Sequence, residues 1–340
     1  MPARILCSLL MAGLLPVPLA AQYTATDEGM TPQLVSPVLE ERSVLLPRGG
    51  LVLEPSLQYI HSSATQVAIE GFTIIPAIAI GLINVSEVQR DSVIAALALR
   101  YGIHRRLEGE IRVPYVWREE HIRQREVLEG TDFSALQNSR GKGLGDVELG
   151  LRYQFNRGLS GPIAVGNLRV KTTTGEGPFD VARRPLLTEG GAEIGETFSE
   201  QPTGSGFWTV QPGLTLIAPS DPAVLYGNGS YAWNIERDVG GDAGRVDPGN
   251  VFGLGFGVGF ALNNRTSLSV GYDHAVVSRT RRENDAGLEP TFDRLQVGSA
   301  LLGFSHRLSP EATFNLGVAI GTTSAAPDVQ ISARIPLRVR

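Results

Sequence analysis

Side chains that could perform acid–base or metal chemistry are few and widely spaced in this sequence. The five histidines, His61, His104, His121, His274 and His306, show no metal-binding spacing. Asp273 and His274 are adjacent, but neighbouring residues of a strand point to opposite faces. A catalytic base must lie within hydrogen-bond reach of its partner. We therefore expect no catalytic residue, no metal site and no bound cofactor, and hence no enzyme.

Two further patterns argue against a phosphate-binding loop and against nucleic-acid binding. The stretch GKGLGD at 141–146 is glycine-rich like a phosphate-binding loop, but it lacks the required spacing and a following helix. A turn that leads into a strand explains this stretch better. The formal net charge is −5 and the basic residues are scattered. Nucleic-acid partners are therefore not expected.

The first 21 residues predict export from the cytoplasm. A basic start at Arg4 is followed by an apolar run over 5–15 and by small residues up to Ala21. This order predicts a secretory signal peptide over 1–21, cut after Ala21. The only cysteine, Cys7, lies inside it, so the mature chain has none. Residues 22–49 are polar and aperiodic, which indicates a loosely ordered periplasmic lead-in segment.

From residue 50 to residue 340 the chain alternates between apolar and polar residues, as β-strands do. The segments at 147–155 and 329–339 show this most clearly. Short turn-like connections, such as 102–106 and 262–266, alternate with longer polar stretches, such as 64–84, 119–142 and 175–204. This pattern predicts an all-β, up-and-down antiparallel barrel of about 12 strands.

Alternation alone does not say which face of the barrel points inward. In a soluble barrel the apolar face is inside, whereas in an outer-membrane barrel it contacts lipid. Charges of both signs on the polar face, a circumference too large for an apolar filling, and unequal loops all favour the transmembrane β-barrel. Its short turns would be periplasmic and its long loops extracellular. The predicted lumen-lining residues are Glu108, Glu110, Arg112, Glu148, Arg152, Arg169, Lys171, Gly253, Gly255, Gly257, Arg334 and Arg338.

The segment VFGLGFGVGFAL at 251–262 places large apolar residues on one face and glycines on the other. The large residues are expected to face lipid. The glycine row would leave lumen space for a chain segment, a loop or a solute, or it would only ease strand curvature. A second apolar stretch, FTIIPAIAIGLINV at 72–85, lies between the first two strands. It would extend them above the membrane, or fold inward and offer a ligand an apolar surface.

Several motifs occur together in a characteristic order, including RGGLVLEPSLQY, RYGIHRRLEGEIRVPY, GKGLGDVELGLRYQF and DPGNVFGLGFGVGFAL. Over 47–340 the chain resembles the bacterial outer-membrane proteins known as "meta-pathway of phenol degradation" proteins, a family of transporters. The resemblance implies a barrel in the outer membrane of a Gram-negative bacterium, in contact with lipid and inserted by the barrel-assembly machinery. It also implies a channel or facilitator for small, hydrophobic or aromatic molecules. The alternative is a structural or adhesive surface barrel that transports nothing.

Overall fold

The computed structural model describes residues 45–75, 78–126, 134–156, 161–187, 193–220, 223–240, 244–284, 287–292 and 294–339. In these ranges the regular elements are all β-strands. No helix of the described residues is long and apolar enough to cross a membrane. The prediction of an all-β chain is confirmed.

The main sheet closes on itself as a barrel of antiparallel strands. In chain order its segments are β1 (Leu51–Ile75), β2 (Ile78–His104), β3 (Leu107–Glu126), β4 (Ser134–Leu144), β5 (Glu148–Gln154), β6 (Ile163–Lys171), β9 (Thr209–Pro219), β10 (Ala223–Asn234), β13 (Val251–Ala261), β14 (Thr266–Val277), β17 (Leu295–Arg307), β18 (Thr313–Gly321), β19 (Val329–Arg334) and β20 (Leu337–Arg338). Both β4 and β5 pair with β3, and both β19 and β20 pair with β1. Each pair is thus one interrupted strand, and the barrel has 12 strands, as predicted.

The first and last strands form the seam of the barrel. β1 pairs with β19 from Ser56↔Arg334 to His61↔Val329, and with β20 at Val52↔Arg338 and Leu53↔Leu337. Between these two stretches the Ile335 amide donates to the Pro55 carbonyl oxygen. Pro336 interrupts the last strand at the same place. Proline has no N–H, so the seam lacks a ladder donor at Pro55. Pro336 faces β18, where its carbonyl oxygen accepts from the Thr313 amide.

The outer surface of the barrel is apolar and is bounded by aromatic residues. Phe256, at the middle of β13, is 63% exposed and faces outward. Exposed aromatic residues form one ring near the long-loop end and another near the short-turn end: Tyr59, Trp117, Trp208, Tyr231, Trp233 and Phe252, then Tyr101, Tyr153, Phe155 and Phe260. Along β2, eight residues separate Tyr101 from Val93, the partner of Tyr59. At ~3.3 Å per residue this is ~26 Å along the strand, comparable to the apolar band of outer-membrane barrels.

At the long-loop end the strands extend further than the sequence pattern predicts. β1 and β2 remain paired up to Thr73↔Ala79, well beyond the last β1–β19 pair, and β3 pairs with β2 up to Glu126↔Asn84. Over their described residues the stretches 64–84 and 119–142 are therefore mostly paired strand and not polar loops. Of the two alternatives for the apolar stretch, extension of the strands agrees with this pairing. Backbone pairing between adjacent strands continues there irrespective of which side chains face water. The backbone of the apolar stretch 72–85 follows this hairpin, apart from residues 76 and 77, which lie outside the described residues.

The remaining long connections carry strands of their own. β7 (Arg183–Leu187) and β8 (Glu193–Phe198) form a hairpin between β6 and β9. A four-stranded sheet joins two separate connections through β11 (Arg237–Asp238), β12 (Arg245–Asp247), β15 (Thr280–Asn284) and β16 (Gly287–Phe292). The connections at the opposite end, such as 262–265 and 308–312, are short turns. The expected difference between the two ends is present.

The last residues before β1 lie inside the barrel at its short-turn end. Leu45 and Leu46 are buried, and the Leu46 amide donates to a carboxylate oxygen of Glu108 at 2.8 Å. A Cβ on Gly102 would clash with the Pro47 carbonyl oxygen, so glycine permits this close approach. The signal peptide and most of the lead-in segment, 1–44, lie outside the described residues.

Candidate functional site

The lumen contains a network of ion pairs that crosses half of the barrel wall. Glu54 on β1 lies 2.9 Å from Arg100 on β2 and 3.7 Å from Arg334 on β19. Glu108 on β3 lies 3.9 Å from Arg100 and 3.3 Å from Arg152 on β5. Only 1% of Glu108 is exposed. Alternation brings these residues together, because each occupies an inward position on its own strand.

The network continues along β3, β5 and β6. Arg152 also pairs with Glu110 at 3.0 Å, and Arg112 pairs with Glu148 at 3.3 Å. On β6, Arg169 lies 3.7 Å from the other oxygen of Glu148. Beside it, Lys171 lies 4.0 Å from Asp146. Cations and anions thus alternate along the inner wall from β19 to β6.

The structure places most of the predicted lumen residues in this network. Glu108, Glu110, Arg112, Glu148, Arg152, Arg169, Lys171 and Arg334 all belong to it. Arg338 does not, since it is exposed at the short-turn end, where its amide donates to the Glu311 carbonyl oxygen. Arg338 lies four residues beyond Arg334 on the last strand, which places it at the end of the barrel and outside the network.

The opposite wall of the lumen has small, hydroxyl-bearing and apolar side chains. Gly253 and Gly255 are buried on the inner face of β13. Tyr226 of β10 lies over Gly257 and Gly271, and a Cβ on Gly271 would lie 2.7 Å from its hydroxyl oxygen. The Tyr226 ring also packs against Leu301 and Ala319. The space left by Gly257 and Gly271 is therefore filled by a neighbouring lumen side chain.

A cavity lies between these two walls, bordered by β1, β18 and β19. Its charged lining consists of four arginines and two glutamates: Arg100, Arg112, Arg152, Arg334, Glu54 and Glu110. Gln58, Ser332, Gly317 and Ala319 complete much of the uncharged lining. Gln58 is only 3% exposed, and among the described residues neither of its amide atoms has a hydrogen-bond partner.

At the long-loop end, residues before β9 fold against the inner wall. The Gln201 amide donates to Glu120 at 3.0 Å and to the Ser139 hydroxyl at 2.8 Å. Arg118 donates to the Pro202 carbonyl oxygen at 2.8 Å, and Ser205 donates to Asp146 through its amide and its hydroxyl. Asp146 lies in the interruption between β4 and β5, so this segment covers the break in the wall.

The structure places Asp273 and His274 on opposite faces of β14. Asp273 pairs in register with Gly255 on the inner face, whereas His274 stacks on Tyr272, which contacts the outward Phe256. The described residues contain no group of three or more His, Cys, Asp or Glu side chains placed to hold a metal ion.

Sequence reasoning missed four residues of the lumen: Glu54, Gln58, Arg100 and Tyr226. Glu54 and Gln58 alternate with Leu53, Leu57 and Tyr59 in the sequence, so the signal was present on β1. Arg100 and Tyr226 occur in segments rich in alanine or glycine, where apolar and polar positions are harder to separate. The role of Tyr226 depends on its register with Gly257, which alternation does not supply.

Comparison with known proteins shows the fold. No family model matches the chain. An outer-membrane channel of Pseudomonas putida F1 is similar in structure, with a TM-score of 0.52 and 14% identity over 86% of this chain and 96% of that chain. The toluene transporter TodX of Pseudomonas putida gives 0.39 and 10% identity over 86% and 90% of the two chains. The toluene transporter TbuX of Ralstonia pickettii gives 0.41 and 10% over 87% and 90%.

Three observations agree on the class of fold: a closed antiparallel barrel, an apolar outer surface between two aromatic rings, and a polar inner wall. The outer-membrane channel of Pseudomonas putida F1, whose TM-score is 0.52, has the same architecture over nearly its whole length. By fold, the chain is an outer-membrane β-barrel.

Proposed function

We propose that this protein is a channel or facilitator in the outer membrane of a Gram-negative bacterium, for small molecules that include hydrophobic and aromatic ones. The observation that supports it best is the contrast between the two lumen walls. One wall is a paired network of charges, and the other carries Tyr226, whose ring packs over the buried Leu301 and Ala319. A molecule with an apolar part can contact the second wall while its polar part stays beside the first.

The similar barrel of Pseudomonas putida F1 is an outer-membrane channel, and we assign the same broad activity to this chain. Membership of the phenol-degradation transporter family is part of the proposal, and so is a role for the network residues in lining the path. The apolar stretch 72–85 would guide solutes at the extracellular side. The proposal also includes cleavage after Ala21 and insertion by the barrel-assembly machinery.

Passage through the purified protein tests the proposal. The barrel is reconstituted in liposomes, and entry of phenol and toluene is compared with entry into protein-free liposomes of the same lipid. Faster entry with the protein is expected. In cells, loss of the gene should slow uptake of a small aromatic compound. Barrels that pass neither solutes nor ions, together with unchanged cellular uptake, would contradict the proposal.

The surface-protein alternative is favoured by one observation, the height of the β1–β4 wall above the apolar band. β1 continues from the last β1–β19 pair at His61 to Ile75. A variant that lacks 66–84 has a shorter hairpin, because this range spans the paired outer ends of both strands. It distinguishes transport from adhesion. Adhesion to surfaces or cells should fall if the alternative holds. Solute passage should change instead if the wall serves transport.

A further inference from the structure

We propose that the cavity beside Gln58 is a binding site for the carboxylate of a small apolar acid, with benzoate as the simplest example. This inference deepens the proposed channel function and rests on it. It adds an anionic class of solute and assigns the residues that hold it. The charge of the lining, the Gln58 amide and the neighbouring apolar wall each support the proposal.

The charged lining of the cavity is rich in hydrogen-bond donors. Four guanidinium groups face it, whereas only two carboxylates do. Glu108 and Glu148, which pair with Arg152 and Arg112, stand outside the lining. Each guanidinium has five N–H donors in a fixed fork that matches a carboxylate. Glu108 and Glu148 balance these arginines in the network as a whole, but among the groups that face the cavity donors outnumber carboxylates. A ligand with carboxylate oxygens therefore suits the lining better than a neutral or cationic ligand.

Gln58 adds a polar group whose place in the fold is otherwise hard to explain. It lies on the inner face of β1, beside Ser332 of β19, and both of its amide atoms are without a hydrogen-bond partner in the described part of the chain. A buried amide with no partner destabilises the fold, so such groups are rare in native proteins. Rotation about its side-chain bonds turns the amide to the cavity, where its N–H group can donate to a bound carboxylate.

The uncharged part of the lining indicates which kind of group the ligand carries beside its carboxylate. Gly317 and Ala319 of β18 border the cavity, and Ala319 packs with Leu301. The Tyr226 ring lies against the same pair. An aromatic ring can contact Gly317 and Ala319 on this side of the cavity while its carboxylate faces the arginines. The arrangement therefore favours a small aromatic or aliphatic acid over an inorganic anion.

Equilibrium binding to the folded barrel in detergent micelles tests this site by calorimetry, with three probes of similar size. Benzoate is expected to bind about tenfold more tightly than neutral benzyl alcohol, as a charged hydrogen bond would give. The cation benzamidine should bind least. Equal binding of benzoate and benzyl alcohol would overturn the proposal.

Two variants at one position locate the site. Gln58→Leu should weaken benzoate binding about tenfold and leave benzyl alcohol nearly unchanged. Gln58→Glu places a negative charge opposite the carboxylate and should abolish benzoate binding. Gln211→Leu is the matched control, because Gln211 on β9 bonds to Ser230 and lies outside the cavity lining. Its benzoate affinity should equal that of the parent protein.

Folding of each variant is checked by its heat-dependent migration on gels. If Gln58→Leu fails to fold, Gln58→Glu alone decides the result. Full benzoate affinity in either folded variant would overturn the assignment of Gln58. Liposome entry of toluene without any benzoate binding would refute this inference while leaving the proposed channel intact.

Discussion

A tyrosine on one strand explains one glycine of β13 and one glycine of β14. Tyr226 lies over Gly257 and Gly271, and all three occupy neighbouring inward positions on β10, β13 and β14. A ring that covers backbone in this way supplies the packing that glycine cannot. Gly257 and Gly271 thus receive a side chain from β10, and at Gly253 a Cβ would lie 3.0 Å from the Ser230 hydroxyl oxygen of the same strand.

This contact makes Gly257 sensitive to any side chain. A Cβ there would meet both the Tyr226 ring and the Val270 carbonyl oxygen. We expect Gly257→Val to lower the free energy of unfolding by about 1–3 kcal/mol, the usual cost of overpacking. Urea unfolding in lipid vesicles measures it. Gly227→Val is the control, since a Cβ at Gly227 would meet only one atom, 3.6 Å away. Similar losses in both variants would refute the packing role of Tyr226.

Glu108 is expected to matter far more for stability than a half-buried glutamate that has a shorter ion pair to an exposed arginine. It accepts from the Leu46 amide and lies near Arg100 and Arg152 while almost fully buried. Glu108→Gln should therefore destabilise the barrel by about 3 kcal/mol.

The comparison variant for this prediction is Glu119→Gln. Glu119 lies 2.6 Å from Arg140, which is 75% exposed, so its loss should cost under about 1 kcal/mol. Both variants are compared with the parent by urea unfolding in vesicles. If Glu119→Gln lowered the free energy of unfolding more than Glu108→Gln, burial would not explain how the lumen network stabilises the barrel.

Strands inside the apolar band could be predicted from the sequence, and those outside it could not. Between the aromatic rings one face meets lipid, so alternation of apolar and polar residues is enforced, as on β5 and β19. Above the band no strand face has to meet lipid, so the alternation of apolar and polar residues is not required there. The pairing of Ser63 with Gln89 comes from backbone bonds, which leave no pattern in the side chains.

The assignment of strand faces predicts opposite outcomes for two arginine substitutions on β5. Leu149 faces outward and is exposed, so Leu149→Arg places a charge in lipid and should cost about 2–4 kcal/mol near the midplane. Gln154 faces inward near the short-turn end, and its amide donates to the Asn156 carbonyl oxygen. Gln154→Arg should cost well under that. Equal losses of folding free energy in lipid would mean that the faces are assigned wrongly.

At the scale of the whole molecule, the lumen contains matched charges, a folded-in segment at each end and the cavity beside Gln58. Leu46 lies against Glu108 near the periplasmic end, and Gln201 lies against Glu120 near the extracellular end. Neither segment was predicted from the sequence. Each position depends on contacts between residues far apart in the chain, which no local pattern records.

The paired charges and the two folded-in segments predict a narrow pore. In planar bilayers we expect low ion conductance with weak selectivity between cations and anions, because ion-paired side chains present little net charge to a passing ion. Reversal potentials in a salt gradient measure the selectivity. A large conductance, comparable to that of an open porin, would contradict the narrow lumen.

The proline in the seam, Pro55, has a consequence for how the barrel is made. Before closure, β1 and the last strand are free edges, and such edges readily add a strand from another molecule. Pro55 removes one donor from the β1 edge and so makes this edge a poorer template for a foreign strand. Unpaired edges are also untenable in hydrocarbon, where every backbone polar group needs a partner. The chain ends must therefore be paired by the time the barrel lies in the bilayer, and Pro55 protects the β1 edge until they are.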